Sequence, residues 1–394
     1  MASTSWQNLE PLLTDPPCDH HLPCNSATVA WGYLDAKRPA QATIESGETI
    51  SVDTVSMPNV GIQGLADAER CLPCEDDTLH TPPELFDIAQ NVPKGEGPHV
   101  LTGPIAVRGA MPGDLLQIDV LQVVLRSNWG WTFSKPFGGA LGTNAPVHVR
   151  YTALENKHGG GSCRMGRPAW GGSFPLAPFF GILGTAPPPE LGRQGSIPPR
   201  NEFGGNLDCK ELTTGSTVYL PVNAELALLY VGDGHGRQGD GECCGTALET
   251  SLTGAFRLTV IKPVVRRGDE KNNNGHHAGA SDDRRFGVRG PLQQPRAETD
   301  ATMITLACAV SADEASRLAI EDMLDWLGDV RPTLDRRDAY LMLSIAADVR
   351  ITQLVNGNSR GCHVVLEKSV LPPPFFDLQE QRRRGSKRER DEDA

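Results

Sequence analysis

Before Ser311 the apolar and polar positions alternate in short runs bounded by glycine and proline; beyond it the period lengthens to that of a helix. Thr28 to Tyr33, Ala42 to Ile44 and Thr49 to Val55 read as strands, with Glu45 to Glu48 as a turn between the last two. Ile50 and Val52 alternate with Ser51 and Asp53, which predicts a half-buried strand with Asp53 on its wetter face. Gly103 to Val107 and Leu115 to Val124 give two more strands joined by the turn Met111 to Asp114. Thr217 to Val222 is another, and Phe256, Leu258 and Val260 alternate with Arg257 and Thr259 in a further one. From Ser311 the sequence Ser-Ala-Asp-Glu is a capping box. Ala315, Leu318, Asp322, Met323 and Trp326 then follow on one helical stripe as far as Gly328. A second helix is expected from near Thr333, with Ala339, Met342, Leu343, Ala346 and Val349 along one side, and Val364 to Leu366 return to the sheet. The pattern predicts an α+β fold: a β-rich sandwich or barrel-like core with a carboxy-terminal helical pair at 311–349.

Composition narrows the function classes. The 394 residues include 42 glycines and 31 prolines dispersed along the chain, which favours many turns between short strands over disorder. No apolar run is long enough to cross a bilayer, so no membrane partner is expected. The amino terminus has neither a basic lead nor an apolar core, so no secretory leader is expected and a cytoplasmic location follows. Net charge is −12, and the tail from Gln379 carries six basic against five acidic residues, which leaves the body at −13 and makes nucleic acid a poor partner. Ten cysteines in such a chain read as reduced thiols. Cys71 and Cys74 have C-x-x-C spacing in a Pro-rich loop, and with Cys18, His20, His21 and Cys24 they could form a structural zinc site; adventitious thiols are the simpler reading. Residues 1–19 read as an extension and 20–372 as the main unit. Within that unit, residues from about 57 to 98 form a long excursion suited to a lid or subunit contact, and 266–295 a polar surface insertion containing His276 and His277. Residues 373–394 read as a charged, disordered tail. The aromatic residues between Trp129 and Pro199 are expected to form core under long loops before they line a pocket.

The chemistry concentrates in Tyr230 to Glu242, where Asp233, His235, Asp240 and Glu242 are separated by glycines. Leu226 to Val231 lead in and Thr246 to Glu249 lead out, so strand, glycine turn, strand is the natural reading. Residues two apart on a strand share a face, which pairs Asp233 with His235 and Asp240 with Glu242. A hairpin closed through Gly236 to Gly239 places the pairs opposite each other. Carboxylates and an imidazole converging in this way suit a divalent metal or an acid-base site. Spacing alone equally allows polar turn residues.

Pro199-Arg-Asn-Glu-Phe-Gly-Gly-Asn-Leu-Asp208, Lys210 to Val222 and Gly232 to Glu242, with His99 to Ile105, Gly109 to Asp114 and Val29 to Tyr33, together resemble the acetamidase/formamidase family of amide hydrolases. The resemblance runs from about residue 20 to residue 370. It implies hydrolysis of a short-chain amide such as formamide or acetamide, and a homo-oligomer. Motif position and strand parity then suggest a divalent ion, zinc or else calcium, held by Asp208, Asp233 and His235 with Asp240 in the ligand set. Glu242 is the candidate base and proton shuttle; Asn206 and Gln238 are candidates to orient the amide or stabilise its oxyanion. Cys244, sharing parity with Glu242, is an alternative nucleophile activated by His235, against the plain reading of a buried thiol. Glu249 is at odd parity and faces away unless a bulge intervenes. His99 is either a pocket residue or a cap. A calcium-stabilised β-rich binding module, or a catalytically inactive relative, are the competing functional classes.

Overall fold

The computed structural model describes residues 17–57, 80–156, 164–168, 170–262 and 291–372. The amino-terminal extension before residue 17, the Cys71 and Cys74 pair, the His276 and His277 loop with most of the 266–295 insertion, and the 373–394 tail lie outside the described residues.

Two sheets face each other. The first has nine strands in the order His20–Leu22, Thr49–Asp53, Leu252–Ile261, Leu115–Leu125, Thr217–Pro221, Arg296–Glu298, Thr302–Ala309, Arg360–Glu367 and Ala347–Gln353. In the second, the central strand Leu229–Arg237 lies between Phe179–Gly184 and Leu248–Glu249, and it also pairs antiparallel with Val100–Val107. Neither sheet closes on itself, so the α+β expectation holds as an open sandwich and the barrel alternative drops out. Ile50, Val52, Ile118, Val120, Leu220, Phe256 and Leu258 of the first sheet meet Ile105, Val107, Phe180, Leu229 and Val231 of the second in the main core. Each such side chain contributes roughly 1.5–3 kcal/mol when buried.

The two carboxy-terminal helices cover the outer face of the nine-stranded sheet. A short helix α1 (Glu84–Asn91) sits in the early excursion; α2 (Ala312–Val330) and α3 (Arg336–Ala346) form the expected pair. Ser311 caps α2 by accepting the Glu314 N–H at 3.2 Å, and Asp335 caps α3 by accepting from Arg337. Ala319, Met323, Trp326 and Leu327 of α2 and Ala339 and Leu343 of α3 pack over Tyr219, Met303, Val364 and Leu366.

Four local readings are corrected. The helical pair ends at Ala346 and not at 349, because the β-branched run Val349, Ile351 and Thr352 joins the sheet edge instead. Leu226, Ala227 and Leu228 do not lead into the central strand; all three take left-handed φ values of 69°, 59° and 55°, and the strand starts at Leu229. Asp53 is buried, its carboxylate bound by Thr253 at 2.6 Å and His21 at 2.9 Å. Of the aromatic group, Trp129, Trp131, Phe179 and Phe180 are buried core, whereas Phe137 and Trp170 are exposed.

Asp322, on the otherwise apolar stripe of α2, is buried and grips Arg296 in a bidentate pair at 2.8 and 2.9 Å, with the guanidinium over the Trp326 ring. Asp322→Ala strands a buried cation beneath the helix layer. Urea denaturation is expected to show a loss of about 3–5 kcal/mol; a loss below about 1 kcal/mol contradicts this account of how α2 is held.

Candidate active site

Four chain segments converge at one end of the central strand. Asp233 and His235 project from that strand, Asp208 from the turn after Gly204–Asn206, Glu249 from the strand directly opposite, and Glu242 from the connecting turn. His235 Nε2 lies 3.3 Å from Asp233 Oδ2, 3.3 Å from Glu249 Oε1 and 4.0 Å from Asp208 Oδ1. None of these five residues is more than 9% exposed. The Phe179 ring stands edge-on to the imidazole at a centroid distance of 5.0 Å.

The hairpin differs from the one expected. The central strand runs to Arg237, its partner is Leu248–Glu249, and residues 238–247 connect them. A register shift between His235 and Arg237 brings Glu249 directly across from His235. Glu249 therefore occupies the facing position assigned to Glu242, and Glu242 reaches the same space from the turn, at a φ of 44°. Asp240 lies apart: it is exposed and paired with Lys210 at 2.8 Å, away from the groups that could share an ion. Its parity argument fails because residues 238–247 are not strand. Gln238 is buried, but its amide nitrogen donates to the backbone carbonyls of Asp208 and Thr352 at 2.7 and 3.2 Å, which ties loops together beside the site. The Cys244 thiol bonds the Thr246 carbonyl at 3.4 Å and is not among the residues lining the cavity.

That cavity, about 60 Å³ in volume, is bounded by Asp233, Glu242 and Glu249 on the acidic side and by Met57, Val100 and Trp131 on the apolar side. It is well below the roughly 300–1,000 Å³ of pockets that take drug-sized ligands. Asn206, His99 and Asn356 also line it. Asn206 donates to the Ile197 carbonyl at 3.0 Å, leaving its side-chain oxygen buried without a partner. His99 bonds Ser196 through Nδ1 at 2.8 Å and turns Nε2 to within 3.9 Å of Asp233, which settles it as a pocket residue. Asn356 holds Asp208 Oδ2 through its amide nitrogen. Sequence reasoning missed Asn356 and Gly181 and placed Glu249 low.

Burial sets the protonation pattern. It raises the Asp208 carboxyl to about 8, with the nearby Asp233 charge adding to the effect. Glu242 is pushed well above the carboxylate range by burial and then by Asp208, and burial also raises Glu249 against the opposing pull of His235. Burial would likewise raise Asp233, but the imidazoles of His99 and His235 outweigh it and hold that group low. For His235 burial disfavours the cation, yet Glu249 and Asp233 carry its pKa well above the ordinary imidazole value.

A sequence model of the acetamidase/formamidase family matches residues 39–195 and 192–371. The chain belongs to the acetamidase/formamidase family. It is 31% identical to the formamidase of Methylophilus methylotrophus over 269 residues, 56% of this chain and 61% of that protein. It is 32% identical to the acetamidase of Mycolicibacterium smegmatis over 206 residues, 37% of this chain and 50% of that protein. The matched stretches span between half and about three fifths of those relatives' own length. The crystal structure of an acetamidase from Bacillus halodurans superposes with a TM-score of 0.64 at 26% identity, covering 88% of this chain and 97% of that one. All cluster residues of this acetamidase/formamidase family member fall inside the matched segments.

The cluster can hold a metal ion. One ligand atom each from Asp208, Asp233 and His235 lies within 4.8 Å of the others, and the same holds for His235, Glu242 and Glu249. Asp208 Oδ1, Glu242 Oε2 and both His235 ring nitrogens are buried without a partner in hydrogen-bonding geometry. Gly181, on Phe179–Gly184, leaves open the space between them: a Cβ there would fall 2.5 Å from Asp208 Oδ1, 2.9 Å from His235 Cε1 and against Asp233 Oδ2. Those carboxylate distances are of the order of a metal–oxygen bond, ~2.0–2.6 Å.

Gly181→Ala fills that space with a methyl group. It is expected to weaken divalent-ion binding by at least about 100-fold, beyond what loss of a supporting side chain usually costs. Elemental analysis of the folded variant checks it, and wild-type metal content contradicts the placement. A cation must also displace protons from Asp208 and His235. Affinity should therefore fall about tenfold per pH unit for each proton displaced as pH drops below about 8, with proton release visible by calorimetry in buffers of different ionisation enthalpy. A constant affinity from about pH 6 to about pH 8 is the opposing result.

Proposed function

We propose that this protein hydrolyses a short-chain aliphatic amide such as formamide or acetamide to ammonia and the carboxylic acid, with a divalent cation, zinc by preference, at Asp208, Asp233 and His235. The observation that carries the reading is the small cavity lined on one side by Asp233, Glu249 and the unpartnered Glu242 Oε2 and Asn206 Oδ1 and on the other by Met57, Val100 and Trp131, beside the buried, unpartnered atoms of Asp208 and His235. Its volume leaves room for an amide with a very short chain. When bound, the cation polarises the amide carbonyl and makes a neighbouring water easier to deprotonate.

The chain's own groups complete the chemistry. Glu242 takes the proton from the attacking water and delivers it to the departing nitrogen, so that amide and water become carboxylic acid and ammonia. Burial and the Asp208 charge raise the Glu242 pKa, which makes it a stronger base than an ordinary carboxylate and suits a group that must accept and then return a proton. Glu249 approaches the same His235 Nε2 that faces Asp233 and Asp208 and so adds negative charge beside the cation, and Asn356 orients Asp208. The free Asn206 side-chain oxygen accepts from the substrate amide N–H. A buried imidazole at the centre of the donor set favours zinc over calcium, which prefers oxygen donors alone.

Glu242→Gln is expected to lower kcat for formamide or acetamide by about 10²–10⁴-fold while metal content stays at the wild-type level. His235→Ala is expected to lose metal and activity together. The measurement is ammonia release across formamide, acetamide, propionamide and urea, with and without chelator. Wild-type turnover by folded Glu242→Gln removes the assigned base; calcium-loaded protein that releases no ammonia from any of the four supports a binding module instead.

A further inference from the structure

Four adjacent strands carry one row of side chains across the candidate site. Phe179 is in register with His235, His235 with Glu249, and Glu249 with Trp131. Directly opposed residues of an antiparallel pair point to the same side of the sheet, so the Trp131 indole stands in line with the imidazole and the Glu249 carboxylate. Its strand, Trp129–Ser134, lies two strand spacings from the His235 backbone, about 9–10 Å. The ring is buried and locked in place: its Nε1–H donates to Ser56 Oγ at 3.1 Å, and the Ser56 N–H donates in turn to Ser251 Oγ at 3.1 Å. Phe133 packs beside it with ring centroids 6.3 Å apart. The neighbouring wall is softer, because Met57 is an unbranched thioether that adapts to what it touches. Trp131 is the largest apolar side chain lining the cavity, and it is the one tied by a side-chain hydrogen bond.

We infer that Trp131 sets the longest acyl chain the site accepts, with acetamide at the limit; this deepens the reading of the cavity as an amide-hydrolysing site and rests on it. A volume of about 60 Å³ holds four to six water-sized groups at roughly 10–15 Å³ each. The attacking water takes one, and acetamide with its four non-hydrogen atoms fills the rest. The polar end of the substrate is fixed, its carbonyl toward the carboxylate cluster and its N–H toward Asn206 Oδ1, so added carbons run to the apolar side. There Met57 yields and Trp131 does not. A methylene forced against the indole in a filled site has to displace the ring, which strains the packing and strips the buried Nε1–H of its Ser56 partner. Propionamide and butyramide are therefore rejected by the shape of one wall, with every polar contact to the amide group intact.

The measurement is kcat/KM of the metal-loaded, full-length protein on formamide, acetamide, propionamide and butyramide. For wild type it is expected to fall at least about tenfold with each carbon beyond acetamide. Trp131→Leu is expected to raise the butyramide-to-acetamide ratio at least about 100-fold, one factor of ten for each of the two carbons. A ratio taken within one enzyme cancels any loss of folded or metal-loaded protein. Trp129→Leu is the structural control: Trp129 is buried on the same strand but does not line the cavity, and its replacement should leave the ratio unchanged. Wild type that accepts butyramide as readily as acetamide, a Trp131→Leu ratio within about threefold of wild type, or an equal rise in Trp129→Leu overturns the inference. Should Trp131→Leu not fold, Trp131→Phe decides: the propionamide-to-acetamide ratio rises about tenfold, or the inference fails. If wild type releases ammonia from none of the four amides, the hydrolytic reading is what fails. Calorimetric binding of the same four amides then tests the wall by itself: an affinity step beyond acetamide that Trp131→Leu relieves supports it, and its absence overturns it.

Discussion

Asp208, Asp233, Glu242 and Glu249 surround one imidazole in a space from which water is nearly excluded, and the architecture at this end of the sandwich depends on that charge being balanced. Two carboxylates 4 Å apart repel by about 4 kcal/mol even at an effective dielectric of 20, so four ionised groups around His235 alone are not tolerated. Protons or a cation must make up the difference. The raised pKa of Asp208, Glu242 and Glu249 is the proton solution. A carboxyl raised by folding supports the fold below its unfolded pKa and withdraws that support as pH climbs through the folded value, for Asp208 about 8. A divalent ion reverses that sign, because it favours the ionised carboxylates, and so the same residues that bind it also carry stability at neutral and alkaline pH when it is present.

Backbone strain falls on the same residues. Asp208, Asp233 and Glu242 take φ values of 49°, 58° and 44°, in a region that L residues other than asparagine and aspartate seldom enter. Each costs of order 1–3 kcal/mol unless the surroundings fix it. The surroundings do: the Asp208 N–H donates to the Gly181 carbonyl at 3.1 Å, its own carbonyl takes the Gln238 amide, and its side chain takes Asn356. Left-handed φ at Asp233 turns its carboxylate toward Asp208 and His235 within a strand otherwise held on both sides. The vacancy at Gly181 completes the enclosure, since any side chain there would occupy the point toward which the ligand atoms face.

This explains which parts of the site were legible in the sequence. Asp233 and His235 share a face by simple strand parity, and Glu242 and Asn206 sit in motifs conspicuous for glycine and polar residues; all four reach the cavity or the cluster. Parity fails wherever the ladder is interrupted. It misplaced Asp240, which lies in the connection and pairs with Lys210, and it demoted Glu249, because one register shift beside His235 reverses the face. Asn356 and Gly181 carry no local signal: one is an asparagine in a turn more than a hundred residues from Asp208, the other a glycine in an apolar strand whose meaning is the space it leaves. The fold was easier to read, because period-2 and period-3.6 patterns persist over many residues and average out local exceptions. Its errors fell at short segments such as Leu226–Leu228, where three apolar residues form a left-handed turn instead of strand.

The remaining coupling runs from the sheet edge to the site. Ala347–Gln353 is the last strand of one sheet, yet its carbonyl at Thr352 accepts from Gln238 and Gly241, both in the connection that carries Glu242 from the other sheet. Gln353 then accepts the N–H groups of Val355 and Asn356, which aims Asn356 at Asp208. The outer strand therefore positions two sides of the cavity, while among the described residues its 347–351 stretch has one neighbouring strand, Arg360–Glu367, to steady it. Frayed edge strands open at low free-energy cost, and a displacement of about 1 Å is enough to spoil a catalytic geometry. The order of the cavity is therefore tied to how firmly this edge strand is held, because the same segment of backbone orients Asn356 and, through it, Asp208.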